Sequence, residues 1–251
     1  MSALAEKLAK RLAEKIIEAP IINDPWPHFQ FDNAFNDIEY IQLANFLPAY
    51  KGTVLNSPEN GEDDPHYPAS QVVRLEKNNT IQFIKDAFHK LPYIRNALAE
   101  KFNLKQESYA DGEGAINIHR DSKGFWQDPH TDVKRSDQYY YLTFQIYMPP
   151  TDEYKHTGAW LCTKKEITDQ LIAEKKKFED EDQIYEAKKL MYNDIKQMPY
   201  VKNKAWGFLA TEDTHHRVPM MENDITRHSL MYRIYYTCLL YTSPSPRDLS
   251  T

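Results

Sequence analysis

Residues 129–150 read PHTDVKRSDQYYYLTFQIYMPP, and the periodicity of this stretch decides the fold class. From Tyr139 onward the chain alternates, with Tyr141, Thr143 and Gln145 on one parity and Leu142, Phe144 and Ile146 on the other. Aromatic and β-branched residues in that pattern predict a strand with two unlike faces. Just upstream, His130 and Asp132 stand two positions apart. In an extended segment positions i and i+2 point to the same side, so this pair can offer an imidazole nitrogen and a carboxylate oxygen to one point in space.

Similar stretches lie on either side of this one. Residues 115–119, 159–163, 205–210 and 227–236 are rich in aromatic and β-branched types and are bounded by Gly, Pro, Asp and Asn, which predicts further short strands. The first hundred residues differ. Leu4, Leu8, Leu12 and Ile16 recur at spacing four among charges, an amphipathic helix over 3–18 expected on the outside of the main domain. Pro20, Pro25 and Pro27 end it, and PWPHFQFDNAF leads as an extended segment into a second helix over 37–47, stopped at Pro48. Residues 56–68 form a turn-rich loop, and 79–90 and 92–102 read as two more helices. Helices followed by short strands imply an α+β, mainly β chain, an antiparallel sandwich or barrel with helices against one face. Residues 164–198 read as a helical insert, with eight Lys and nine Asp/Glu as its solvated face.

The chain has 251 residues and a net charge of −6, with 41% hydrophobic and 27% charged residues. This is the composition of a globular protein, and it argues against bulk nucleic-acid binding, collagen, disorder and a membrane span. Two cysteines, Cys162 and Cys238, cannot build a disulfide framework. A reducing, cytoplasmic setting is expected. The first eighteen residues mix Lys and Arg with Glu and fit neither a secretory signal nor a transit peptide.

A third ligand comes late in the chain. Residues 214–218, THHRV, follow the apolar strand AWGFLA and bring an imidazole in from a neighbouring strand. Two His and one carboxylate on one face of an iron leave positions open for a cosubstrate and oxygen. Alternation lets only one of His215 and His216 face that point. Eleven residues after His216 come Arg227, His228 and Ser229, which place an Arg and a Ser on one face of the next strand. A guanidinium there can pair bidentately with a free carboxylate.

The order HxD, distant His, RxS resembles the Fe(II)- and 2-oxoglutarate-dependent dioxygenases, in the branch similar to prolyl hydroxylases and to phage and marine metagenomic members. The likeness runs from Pro25 to Tyr236 and includes PWPHFQFDNAF, RDSKGFWQDPHTD with Gly124 six residues before His130, YYYLTFQIYMPP, HHRV and RHSL. It implies a double-stranded β-helix (a cupin-like jelly roll). With the N-terminal amphipathic helix placed over 1–22, the organisation expected is a single domain over 23–237 with helical support 23–107, the jelly-roll core 108–237 and the insert 164–198. It further implies Fe(II) held by His130, Asp132 and His216, with Arg227 on the distal carboxylate of 2-oxoglutarate and Ser229 beside it. His216 is preferred to His215 because the family's ligand commonly precedes a small or basic residue and Val. The polar parity Tyr141 and Thr143 is assigned to the pocket side, and Trp126 either walls the substrate pocket or packs in the core. No catalytic residue is implied beyond the metal centre. The reaction implied consumes O2 and decarboxylates 2-oxoglutarate to succinate while hydroxylating a protein side chain, an amino acid or another small molecule. The partners expected are therefore a small-molecule or peptide substrate and no membrane; the sequence leaves the oligomeric state open.

Two departures stand out. The 84 residues from Asp132 to His216 exceed the usual interval in compact members, and the insert accounts for most of the excess. Arg227 and Arg233 also match the RxxxxxR pattern of alkylation-repair dioxygenases, so a nucleobase demethylase is the alternative. The absence of a basic stripe weighs against it. A non-catalytic cupin-like binding protein is the reading from another class. From Cys238 the chain reads CLLYTSPSPRDLST, of which CLLYTSPSPRD resembles a translated sequencing adaptor; on that resemblance the native chain ends near Tyr236 or Thr237, and 238–251 is a non-native tail.

Overall fold

The computed structural model describes residues 2–51, 70–75, 81–104, 116–133, 139–175, 177 and 184–237. The turn-rich loop expected at 56–68 and the tail at 238–251 lie outside the described residues.

Two antiparallel sheets carry the chain. The larger has six strands in the order β1 (His28–Phe31), β8 (Ala205–Leu209), β5 (Tyr139–Tyr147), β10 (Arg227–Thr237), β3 (Ile116–Asp121) and β2 (Ser70–Arg74). The smaller has four, in the order β4 (Gln127–His130), β9 (His215–Val218), β6 (Trp160–Lys164) and β7 (Tyr192–Gln197).

Alternation in β5 and β10 explains why the large sheet has two differently packed faces. Leu142, Phe144 and Ile146 of β5, with Leu230, Tyr232 and Ile234 of β10, point outward into a core shared with the helices. Those helices are α1 (Ala3–Glu18), α2 (Asp37–Phe46), α3 (Gln82–His89) and α4 (Tyr93–Lys101). The opposite parity meets the small sheet, where Tyr141, Tyr147, Trp206 and Phe208 pack with Trp26 and Leu161 in a second, mostly aromatic cluster. The Trp26 indole ties the sheets further, its Nε1 donating at 3.3 Å to the carbonyls of both Cys162 and His215.

Helix α1 packs one face against the helices and leaves the other to solvent. Ala5, Leu8, Ala9, Leu12 and Ile16 are fully buried against α3 and α4, whereas Leu4 is exposed. The buried stripe combines spacings of three and four, as the 3.6-residue repeat demands, so alanines complete a face that the leucines only outline. Ser2 caps the helix by accepting from the Ala5 amide, and a capping box of Asn36 and Glu39 starts α2.

The remaining boundaries need correction in two places. Sheet structure is not confined to 108–237, because β1 and β2 complete the two edges of the large sheet from within the segment expected to be helical support. Among the described residues the insert is helical at α5 (Asp169–Lys175) and α6 (Ile184–Leu190), and Tyr192–Gln197 is a strand paired with β6. As an outer edge without a fully buried residue, β7 lacks the apolar alternation that reveals a strand, and its charges read as a helix face. Among the described residues no helix is long and apolar enough to cross a membrane.

Candidate metal centre

Strands β4 and β9 pair so that His130 and His216 are direct Cα partners, with an irregularity in β4 between Gln127 and His130. This register brings the two rings to a centroid distance of 4.3 Å. Gly124, at φ +89, makes the turn that delivers the chain to β4, a left-handed conformation that favours glycine. Beyond His130 the chain continues through Thr131 to Asp132, whose Oδ1 lies 3.7 Å from Nε2 of His130 and 3.9 Å from Nε2 of His216. One ligand atom from each of the three residues falls within 4.8 Å of the others.

Each side chain is held by a bond on its far side. Nδ1 of His130 bonds the carbonyl of Asp128 at 2.8 Å, and Nδ1 of His216 faces the carbonyl of Thr214 at 3.4 Å. A ring that donates Nδ1–H to a carbonyl keeps its Nε2 lone pair free for a metal. Thr143 donates its hydroxyl to Oδ2 of Asp132 at 2.8 Å, leaving Oδ1 to the imidazoles. Burial opposes ionisation of Asp132, but Arg233, the two imidazoles and the Thr143 hydroxyl outweigh it and hold the carboxyl well below its ordinary range. Burial, reinforced by neighbouring His130, pushes His216 down to about 3, which keeps it neutral. A carboxylate with two imidazoles is a donor set suited to a divalent first-row metal. The buried Nε2 of His130 has no hydrogen-bond partner, and a metal would satisfy it.

A cavity of about 220 Å³ opens between the sheets beside these residues. His216, Thr143, Gln145, Trp206 and Phe208 line it, and Arg227 and Arg233 reach it from β10. The two arginines differ. Arg227 is 3% exposed and its Cα partner across the sheet is Asp121. Its Nε donates to Oδ2 of Asp121 at 2.9 Å, its Nη2 donates to the same oxygen, and its Nη1 donates to the carbonyl of Thr157 at 2.7 Å. Ser70 donates to the other oxygen of Asp121 at 2.7 Å. Arg233 stands opposite Thr143, with Nη2 3.6 Å from Oδ1 of Asp132 and a buried Nε that has no hydrogen-bond partner.

Other expected residues take varied places. Ser229 is fully buried and accepts a hydrogen bond from Gln145 at 2.8 Å; it is not among the residues lining the cavity. Thr143 reaches the triad's carboxylate, while Tyr141 packs between the sheets beneath the Arg233 guanidinium at 5.8 Å. Trp126 is half-buried, and its neighbour Phe125 lines the cavity in its place. His215 points away from His216, stacks near Tyr192 at 5.0 Å and is 5% exposed, so it is neither a ligand nor a surface residue. Sequence reasoning missed Asp121 and His119, both cavity residues on β3. A polar parity in β3 was the available signal, and only the β3–β10 register gives it meaning.

No family model matches the chain, and no curated protein matches it. Solved structures do. One is a prolyl hydroxylase from Trichoplax adhaerens in complex with a hypoxia inducible factor peptide fragment: 11% identity, TM-score 0.50, covering 94% of this chain and 94% of that one. Another is HygX from Streptomyces hygroscopicus with nickel and 2-oxoglutarate bound: 10% identity, TM-score 0.50, covering 84% and 83%. At these identities the likeness is one of fold.

Proposed function

We propose that the chain is an Fe(II)- and 2-oxoglutarate-dependent oxygenase with a double-stranded β-helix fold, in the prolyl-hydroxylase-like branch. It hydroxylates a protein side chain, an amino acid or another small molecule, with conversion of 2-oxoglutarate to succinate. The observation that carries this reading is the convergence of His130, Asp132 and His216 around an unsatisfied Nε2, at a cavity with two arginines. The two structural neighbours, one a prolyl hydroxylase and one bound to nickel and 2-oxoglutarate, agree with it. A reduced, buried Cys162 suits the cytoplasm.

Iron, when bound, supplies the oxygen-activating chemistry in such a site. The chain's own residues perform the rest. His130, Asp132 and His216 are the ligands, oriented by Asp128, Thr214 and Thr143. Arg227 and Arg233 hold the carboxylates of a dicarboxylate cosubstrate within reach of that centre. Asp121 already takes two donors of Arg227, so a carboxylate there shares the guanidinium, whereas Arg233 has an unused donor. Trp206 and Phe208 wall the cavity against water.

Incubation with Fe(II), ascorbate and 2-oxoglutarate is expected to yield succinate, and His130→Ala is expected to yield none above background. Equal succinate from both proteins would refute the reading. Metal binding without succinate formation would favour a non-catalytic binding protein.

One observation favours a second reading. Arg233 sits beside Asp132, so both arginines of the RxxxxxR pattern reach the same cavity, as an alkylation-repair demethylase would require. Formaldehyde release from a methylated single-stranded oligonucleotide would select that reading; turnover of peptides or amino acids alone would reject it.

A further inference from the structure

A second cavity, of about 370 Å³, lies on the small sheet beside the triad. Its position follows from the strand ends. β4 ends on His130, β9 begins on His215, β6 ends on Lys164 and β7 begins on Tyr192, with Cys162 opposite His215 and Lys164 opposite Tyr192. The metal ligands and this cavity therefore share one rim of the sandwich. Asp128 and Pro129, the two residues before the ligand His130, line it.

The lining is strongly basic for a chain of net charge −6. Lys164, Lys165, Lys175 and Lys188 converge there, and among the described lining residues Asp128 is the one acid, so four positive charges less one negative leave +3 for those residues. Lys188 is paired with Asp128 at 2.5 Å. Lys164, Lys165 and Lys175 form no ion pair among the described residues. Like charges brought together in one concavity repel, and an anion in their midst relieves that cost. The lysines come from β6, the segment after it, α5 and α6, the region that lengthens the interval between the second and third ligands.

We propose that this lysine pocket binds a phosphate group of the substrate and sets the rest of that molecule over the metal centre. The role of the bound molecule as substrate rests on the oxygenase reading; the anion site itself does not. Lysine ammonium groups act on a phosphate as point charges, without the planar fork that carboxylate pairing favours. Their convergence on one cavity, rather than along a stripe, fits a single phosphate on a small molecule better than a nucleic-acid backbone. Asp128 joins the two sites, since its carboxylate holds Lys188 while its carbonyl holds the ring of His130.

The test is a titration of the full chain with inorganic phosphate and with phenyl phosphate, followed by calorimetry, with phenol as the uncharged control. Saturable binding of both phosphates and none of phenol is expected. Each of Lys164→Gln and Lys175→Gln should weaken that binding about tenfold, as loss of one charge-assisted bond does, and Lys164→Arg should restore most of it. Lys155→Gln, at an exposed site elsewhere, should leave it unchanged. His130→Ala should also leave it unchanged, which separates failure of the phosphate site from failure of the oxygenase reading. No saturable binding, or equal binding by the glutamine variants, would overturn the proposal. So would a single-stranded oligonucleotide that binds more tightly than phenyl phosphate with a salt dependence reporting several phosphates.

Discussion

The cavity between the sheets has two polar ends built on opposite principles. At one end Arg227, Asp121, Ser70 and Thr157 satisfy each other through four hydrogen bonds, and the ion pair is almost completely buried. At the other end Nε2 of His130 and Nε of Arg233 are buried without a partner, around a carboxylate aimed at two imidazoles. Folding does not leave buried polar atoms unpaired without cost. The paired end is therefore fixed by the fold before anything binds, and the unpaired end still has polar atoms for a ligand to satisfy.

Breaking the paired end should have the largest effect on stability. Asp121→Ala strands a buried guanidinium and is expected to lower stability by roughly 3–5 kcal/mol, measured by chemical denaturation, while the surviving folded protein still binds divalent metal. If stability holds and metal binding vanishes, the division between the two ends is wrong. Thr143→Val probes the unpaired end. Removing the hydroxyl that orients Asp132 should weaken metal affinity about 10–100-fold, read by competition with a chelator, with a smaller loss of stability.

A smaller effect concerns acid sensitivity behind the paired end. Burial, with Arg120 nearby, pushes His228 down to about 4. Its folded value lies below its unfolded one, so the unfolded chain binds the extra proton and stability falls as pH drops from about 6.5 towards 4. Thermal melts across that window should flatten in His228→Gln. An unchanged pH slope would show that another group carries the dependence.

The unpaired end was more legible in the sequence than the paired one, for physical reasons. His130 and Asp132 are two residues apart, and strand geometry alone puts them on one side. The two faces of β5 were legible because one packs on helices and the other on the opposite sheet. Asp121 and Arg227 are 106 residues apart and meet only because β3 and β10 are in register. Nothing local marks such a pair. β7 and β2 escaped notice because edge strands carry few buried residues, Val73 alone in β2. In α1 the alanines that complete the buried face are not distinctive, so its place in the core emerged only from packing against α3 and α4.

The oxygenase reading requires that His130, Asp132 and His216 hold iron together. X-ray absorption at the iron edge of the Fe(II)-loaded chain reads out those ligands. Scattering from two imidazole ligands is expected in the unaltered protein, falling to one in His130→Ala. Iron bound without imidazole scattering, or a spectrum that His130→Ala leaves unchanged, would contradict the assignment.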